Sequence, residues 1–144
     1  MINISFEKYD FKFKQENDKD FIYDNIRNKW IMLTPEEWVR QNIIQYLLTT
    51  LKYPASLFSI EKEIQVGELR KRFDIVIYKD VDPWMIIECK QTDVKLSSST
   101  LQQTLAYNSF VKAPYLCLTN GNDTLLWKFE DNIITALQQF PKFL

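Results

Sequence analysis

The chain has 144 residues, which fits a single domain over residues 1–144, and 46% of them are hydrophobic, which favours a folded core over disorder. It contains no histidine, which excludes His-based catalytic triads and most zinc enzymes. The net charge of −1 argues against strong DNA binding by this chain alone, because Lys and Arg supply most of the affinity for phosphate.

Three features point to a cytoplasmic protein that does not use a membrane. No apolar leader follows Met1, so a signal peptide is not expected. No apolar run approaches the ~18 residues that a membrane helix needs. The two cysteines, Cys89 and Cys117, each lie inside an apolar run, as expected for buried thiols that stay reduced.

The N-terminal third of the chain predicts an extension followed by a helix. Residues 1–33 carry aromatic and charged side chains in short alternating runs, which predict one or two hairpins packed on the domain. A helix is predicted to begin at Thr34, because Thr34 is a good N-cap, Pro35 is favoured at the first helical position and Glu37 completes a capping box. Apolar residues at helical spacing continue it to about Lys52, before a proline.

The rest of the chain alternates between apolar runs and turn residues. These runs predict, in chain order, strands at 57–64, 72–78 and 84–89, a helix at 97–111, strands at 115–119 and 125–129, and a terminal helix at 131–139. The strands at 72–78 and 84–89 are apolar on both faces and are therefore expected at the centre of the sheet. The main order is α-β-β-β-α-β-β, an α/β (α+β) fold in which helices flank a mixed sheet.

Three charged residues stand at the ends of the two central strands. Glu88 and Lys90 are two residues apart, so they share one face of a strand, and Asp74 begins the preceding strand. All three meet at one end of the sheet if the two strands pair as a hairpin. Charges that end a buried strand need a stabilising partner. Two interpretations remain open: a structural ion pair between Lys90 and Glu88, or a site that binds a metal and carries out chemistry.

The functional interpretation is a magnesium site. Two carboxylates, on Asp74 and Glu88, are suited to a hard divalent cation because they offer oxygen ligands. Such an ion would polarise a phosphate oxygen and lower the pKa of a water molecule. Lys90 would then position or deprotonate that water, or stabilise the charge that builds up on the phosphate.

The same residues resemble a known family. Asp74 followed by Glu88-Cys89-Lys90 is similar to the D…ExK core of PD-(D/E)xK nucleases, and more specifically to the N-terminal nuclease domain of type I restriction enzyme R subunits. The resemblance covers roughly residues 20–130. Besides the core, the segments that carry it, in the order found in that family, are 33–41, 71–78 and the QxxxY motif at Gln103 and Tyr107.

The resemblance implies a restriction-endonuclease-like fold and a Mg²⁺-dependent DNA endonuclease of a restriction system, with Mn²⁺ able to substitute. It implies catalytic roles for Asp74, Glu88 and Lys90, with Asp74, Glu88 and the backbone carbonyl of Cys89 as metal ligands. Glu37 is expected to add an acid from the first helix; Glu36 is the alternative, and a simple capping role for Glu37 is left open. The DNA-binding residues that the resemblance implies are Gln103, Tyr107, Arg40 and Arg72.

Two groups of residues support DNA binding and also have a simpler explanation. Gln103 and Tyr107 lie at positions i and i+4 of one helix face, where a tyrosine can stack on a base or bind phosphate. A partly buried tyrosine beside a glutamine would give the same pattern. Lys62, Lys71 and Arg72 form a small basic patch that either contacts the DNA backbone or is solvated surface.

One departure from the family concerns ATP. The R subunits continue into a helicase motor, whereas this chain has no GxxxxGK[S/T] phosphate loop, so ATP-driven translocation is not implied. The expected partners are DNA, restriction–modification subunits or a helicase, and a second copy of the chain. The alternative function is a non-catalytic module that keeps the fold and binds nucleic acid or another protein.

Overall fold

The computed structural model describes residue 2 and residues 4–144, without the side chain of Phe110. Met1 and Asn3 of the predicted N-terminal extension lie outside the described residues. No helix in this part of the chain is long and apolar enough to cross a membrane. The elements are, in chain order, β1 (Phe13–Glu16), β2 (Lys19–Asp24), β3 (Lys29–Met32), α1 (Pro35–Gln45), β4 (Phe58–Val66), β5 (Leu69–Lys79), β6 (Asp82–Cys89), α2 (Ser98–Val111), β7 (Tyr115–Thr119), β8 (Thr124–Glu130) and β9 (Ile133–Ala136).

A six-stranded sheet forms the body of the protein, in the order β4-β5-β6-β7-β8-β9. β6 and β7 are parallel and the other neighbours are antiparallel. Parallel neighbours need a crossover connection, and α2 lies in the connection from β6 to β7. The mixed sheet with flanking helices, predicted from the order of the apolar runs, is confirmed.

Both faces of the sheet are covered, which explains why β5 and β6 are apolar on both sides. The face carrying Ile75, Ile77 and Ile87 packs against Val39, Ile43 and other apolar residues of α1. The opposite face of the sheet packs against α2. The buried sheet residues on this face include Phe73, Val76, Ile86 and Leu116.

Helix α1 begins as predicted. Thr34 is the N-cap, and its hydroxyl accepts a hydrogen bond of 3.0 Å from the backbone nitrogen of Glu37. After Gln45 the helix widens into a π turn at Tyr46–Thr50, and Lys52 with a φ of 60° ends this segment. The predicted end near Lys52 is therefore confirmed.

The predicted terminal helix at 131–139 is wrong, because this segment forms the edge strand β9. Asp131 and Asn132 both adopt left-handed backbone, with φ of 52° and 63°, and make the tight turn that folds β9 back on β8. Two such residues in succession favour a two-residue hairpin. The β-branched run of Ile133, Ile134 and Thr135 then fits a strand better than a helix.

The N-terminal extension is a three-stranded antiparallel sheet, β1-β2-β3, which confirms the predicted hairpins. Asp24, at the end of β2, is fully buried and ties this sheet to α1. Its carboxylate accepts hydrogen bonds from Arg27 Nε at 2.6 Å and from Gln41 Nε2 at 2.9 Å. Burial raises the pKa of Asp24, but hydrogen bonds from the Arg27 backbone and side chain outweigh it, so the pKa is lowered overall.

Replacing Asp24 should therefore cost far more stability than replacing an exposed acid of the same strand. Asp24→Ala removes the buried carboxylate that accepts hydrogen bonds from the backbone and side chain of Arg27 and from Gln41, and it leaves Arg27 with Glu37 as its nearest acid, so we expect a loss of about 3–5 kcal/mol in the free energy of unfolding. Asp20→Ala, at an exposed position of β2, should change it by less than about 0.5 kcal/mol. Urea denaturation of the two variants measures the difference, and equal midpoints would contradict this role for Asp24.

Candidate active site

Strand pairing brings Asp74 and Glu88 together at one end of the sheet. Ile75 pairs with Ile87 in the antiparallel ladder of β5 and β6, so one further step places Asp74 opposite Glu88. Asp74 Oδ2 accepts a hydrogen bond of 2.7 Å from the backbone nitrogen of Cys89. The two acids and the Cys89 backbone, which sequence reasoning placed at one site, are thus neighbours in the structure.

Asp74 lies where the alternation of side chains along β5 breaks. Phe73 packs on the α2 face and Ile75 on the α1 face, although residues two apart on a regular strand share a face. On β4 the facing residue is Glu61, whose φ of 53° is left-handed, and the ladder has no pair at this position. The break lets Asp74 approach Arg40 of α1, with Oδ1 at 3.9 Å from Nη1, while Oδ2 contacts Cys89.

Glu88 is a buried acid that lies against Asp74 and keeps one carboxyl oxygen without a partner among the described residues. Its relative exposure is 8%, and Oε1 is buried with no hydrogen bond from any described residue. Burial, and then the negative charge of Asp74, raise the pKa of Glu88 to about 8, although the positive charge of Lys71 opposes this. Near neutral pH this carboxyl group therefore binds a proton unless a cation is supplied.

A small cleft connects Glu88 to α2. Its cavity has a volume of about 30 Å³. Lys90, half-buried after the end of β6, lines it together with Gln103 and Tyr107, so the structure brings these three predicted residues together. The other lining residues are Lys71, Glu88, Thr100 and Thr104.

The two acids of the first turn of α1 have different surroundings. Glu37 is buried, and its carboxylate accepts hydrogen bonds from Arg27 at 2.9 Å and from Gln41 at 3.0 Å. Glu36 is half-buried; burial first, and then the charge of Asp74, raise its pKa, while the charge of Lys90 lowers it. Glu36, the alternative in the sequence analysis, is thus the helix acid near Asp74 and Lys90, whereas Glu37 is already engaged with Arg27 and Gln41.

Arg40 and Arg72, two of the predicted DNA-binding residues, lie outside the cleft. The Arg40 side chain is only 7% exposed, and its guanidinium is 3.4 Å from Glu37 and 3.5 Å from Glu61. Burial lowers the pKa of Arg40, but the charges of Glu37 and Asp74 outweigh this and raise it overall. Arg40 is thus an internal counter-charge, while Arg72 is exposed on β5 and does not line the cleft.

Lys71 lines the cleft, although sequence reasoning considered it only as part of a surface patch. Its Nζ lies over the rings of Tyr107, at 5.3 Å from the centroid, and Phe73, at 5.6 Å. The sequence placed it in a surface patch with Lys62 and Arg72. Regular alternation from Ile75 would put Lys71 on the α1 face, and only the break at Asp74 turns it toward α2 and the cleft.

The oxygen donors at the site come from Asp74, Glu88 and the backbone of Cys89. Among the described residues, no three or more His, Cys, Asp or Glu side chains are grouped so that they could hold a metal ion. The free oxygen of Glu88 and the facing carboxylate of Asp74 nevertheless offer two adjacent hard ligands. Two such carboxylates are the donor chemistry that a hard divalent cation takes.

Comparisons with known proteins identify the family. No curated protein is significantly similar in sequence to this chain. The fold is similar to the crystal structure of a candidate nuclease of the DUF820 family from Anabaena variabilis, with a TM-score of 0.50, 11% identity, and coverage of 88% of this chain and 80% of that chain. A family model described as the N terminus of the type I restriction enzyme R protein matches residues 35–141. Because that match spans every element from α1 to β9, the chain belongs to this family and is a restriction-endonuclease-like, nuclease-type domain.

Proposed function

We propose that this domain hydrolyses phosphodiester bonds of DNA in a Mg²⁺-dependent endonuclease reaction, as part of a restriction-type system. The observation that supports this most strongly is the buried Glu88 carboxyl group, which lies beside Asp74 and whose Oε1 has no hydrogen-bond partner among the described residues. A buried acid beside a second, half-buried acid is costly unless a proton or a cation joins them. A divalent cation satisfies both acids at once.

The residues that would hold the ion are Asp74, Glu88 and the backbone carbonyl of Cys89. Hard oxygen donors of this kind suit Mg²⁺, and Mn²⁺ accepts the same set. The chemistry that such an ion supplies when bound is the polarisation of a phosphate oxygen and a lower pKa for water. The proton on Glu88 must leave before the ion is bound, so we expect metal affinity to increase with pH.

The other side chains of the site have separate roles in the proposed reaction. Water adds to phosphorus, and the P–O bond to the leaving oxygen breaks. The Lys90 ammonium group, beside Glu88 in the cleft, stabilises the negative charge that grows on the phosphate. Glu36, whose pKa is raised by burial and by Asp74, is the acid on α1 that is suited to take a proton from the attacking water.

The charge balance of the chain indicates that the DNA is brought by a partner. With a net charge of −1, the domain has little long-range attraction for DNA. We therefore propose that restriction–modification subunits, a helicase or a second copy of the chain hold the DNA near the site. A cytoplasmic setting, in which the buried Cys89 and Cys117 remain free thiols, completes this proposal.

The raised pKa of Glu88 predicts how the stability of the metal-free protein depends on pH. The folded state holds the Glu88 proton up to a pKa of about 8, whereas the unfolded state releases it near 4.5. The folded state thus binds more protons between these values, so the contribution of Glu88 to stability is complete below pH 4.5 and is lost as pH rises toward 8.

Glu88→Gln should remove this loss of stability with rising pH, because glutamine keeps the shape of the glutamate side chain and cannot ionise. The test is the free energy of unfolding in EDTA at several pH values, with Asp82→Asn, at an exposed position of the same strand, as the matched control. We expect the Glu88→Gln curve to fall less steeply than those of the wild type and the control. Parallel curves for all three proteins would contradict a buried, protonated Glu88.

Lys90→Ala should separate chemistry from metal binding. Its loss removes an interaction with the charge that develops on the phosphate, so we expect cleavage to slow by about 10²–10³-fold while Mn²⁺ binding persists. Lys95→Ala, at an exposed position of the following loop, should cleave as the wild type does. The assay is nicking of plasmid DNA at low salt, in Mg²⁺ and in EDTA.

Two outcomes would count against this proposal in different ways. A Lys90→Ala variant that cleaves at the rate of the wild type would remove Lys90 from the mechanism. A wild type that binds Mn²⁺ but cuts no linear, circular, branched or single-stranded DNA would favour the non-catalytic module, which the net charge of −1 also suits.

A further inference from the structure

We propose that the cleft between the β5–β6 end and α2 binds a single DNA phosphate, and that Lys71 is its second cation beside Lys90. This inference rests on the proposed function, because the phosphate belongs to the DNA that the site would cleave. It adds Lys71 to the DNA-binding residues. It also assigns the cleft to a phosphate anion rather than to a nucleobase.

The position of Lys71 is fixed by aromatic rings rather than by an acid. Its Nζ lies 5.3 Å from the ring centroid of Tyr107 and 5.6 Å from that of Phe73. The two rings meet edge to face, with centroids 6.4 Å apart, and form one wall. Among the described residues, no carboxylate lies within ion-pair distance of Lys71 or Lys90. Both ammonium groups therefore remain available to an anion.

The charges around the cleft also favour an anion next to a bound cation. Lys71 of β5 and Lys90, which follows β6, both line the cleft, and the carboxyl group of Glu88 lines it with them. Once a proton or a bound cation neutralises the Glu88 carboxylate, the ammonium groups of Lys71 and Lys90 give the cleft a net positive charge. Gln103 adds a side-chain amide that can donate to a phosphate oxygen.

The size of the cleft decides between the two roles considered for Tyr107. Its volume of about 30 Å³ is far below the roughly 300 Å³ or more of pockets that enclose small-molecule ligands, so a nucleobase does not fit inside it. The ring of Tyr107 is also already covered by Lys71. Stacking on a base is therefore disfavoured, whereas one phosphate oxygen fits between the two lysines.

The experiment measures binding without cleavage. The probe is a fluorescent DNA duplex in Ca²⁺, titrated with protein over a series of salt concentrations. Each lysine that neutralises a phosphate contributes about 0.9 to the slope of log K against log salt. We expect Lys71→Ala to lower affinity roughly tenfold at low salt and to reduce this slope by about 1.

Three further variants make the result specific. Lys62→Ala removes the same charge from an exposed position of β4, opposite Phe73, and should leave the slope unchanged. Lys71→Arg keeps the cation over the rings and should retain binding. Tyr107→Phe keeps the ring beneath Lys71 and should also retain binding, whereas it would lose binding if the hydroxyl were the phosphate ligand.

The outcomes separate this inference from the proposed function. An unchanged slope for Lys71→Ala, or an equal reduction in Lys62→Ala, would overturn the phosphate pocket and leave the proposed hydrolysis standing. A reduced slope in a protein that never cleaves DNA in Mg²⁺ would support the pocket and overturn hydrolysis. A wild type that binds no DNA at the lowest salt concentration would overturn the phosphate pocket, while plasmid nicking in Mg²⁺ would still decide the proposed hydrolysis.

Discussion

The contact between the buried acid Glu88 and the half-buried acid Asp74 is the constraint on which the rest of the site depends. The central strands β5 and β6 place these carboxyl groups opposite each other, and burial raises the pKa of Glu88 to about 8. Positive charge is arranged on both sides of the pair. Arg40 approaches Asp74 from α1, while Lys71 and Lys90 lie near Glu88 on the α2 side. The fold thus concentrates opposite charges at one end of an otherwise apolar sheet.

The N-terminal sheet is coupled to this charge pair, although it lies outside the residues that match the family. Asp24 holds Arg27, Arg27 donates to Glu37, and Glu37 lies 3.4 Å from Arg40 beside Asp74. Asp24, Glu37 and Arg40 are buried and Arg27 is half-buried, and each carries a charge opposite to that of its neighbour, so the loss of one weakens the compensation of the next. The family match begins at residue 35, so residues 4–33 supply a support for α1 that the matched region alone does not contain.

Local signals predicted most of the fold, and the errors have identifiable physical causes. The Thr34 cap and the apolar runs of β5 and β6 specify their elements directly, whereas β9 depends on two left-handed residues that no helical pattern reveals. In the site, adjacent residues such as Glu36 and Glu37 point in different directions around a helix, and the pattern alone did not decide between them. Lys71 was predicted on the surface and not in the cleft, because regular alternation fails at Asp74, where the facing Glu61 takes a φ of 53°. Burial of Arg40 depends on β4 and could not be read from α1 alone.

The central claim is that Asp74 and Glu88 together bind a divalent cation, and calorimetric titration with Mn²⁺ tests it most directly. The wild type and Asp82→Asn, an exposed variant of the same strand, should show the same saturable binding, which strengthens between pH 6 and 8 as Glu88 loses its proton. Asp74→Asn and Glu88→Gln keep the shape of the side chains, remain folded and should lose that binding. Equal Mn²⁺ affinity in the wild type and both site variants would show that the ion binds elsewhere, and would contradict the account.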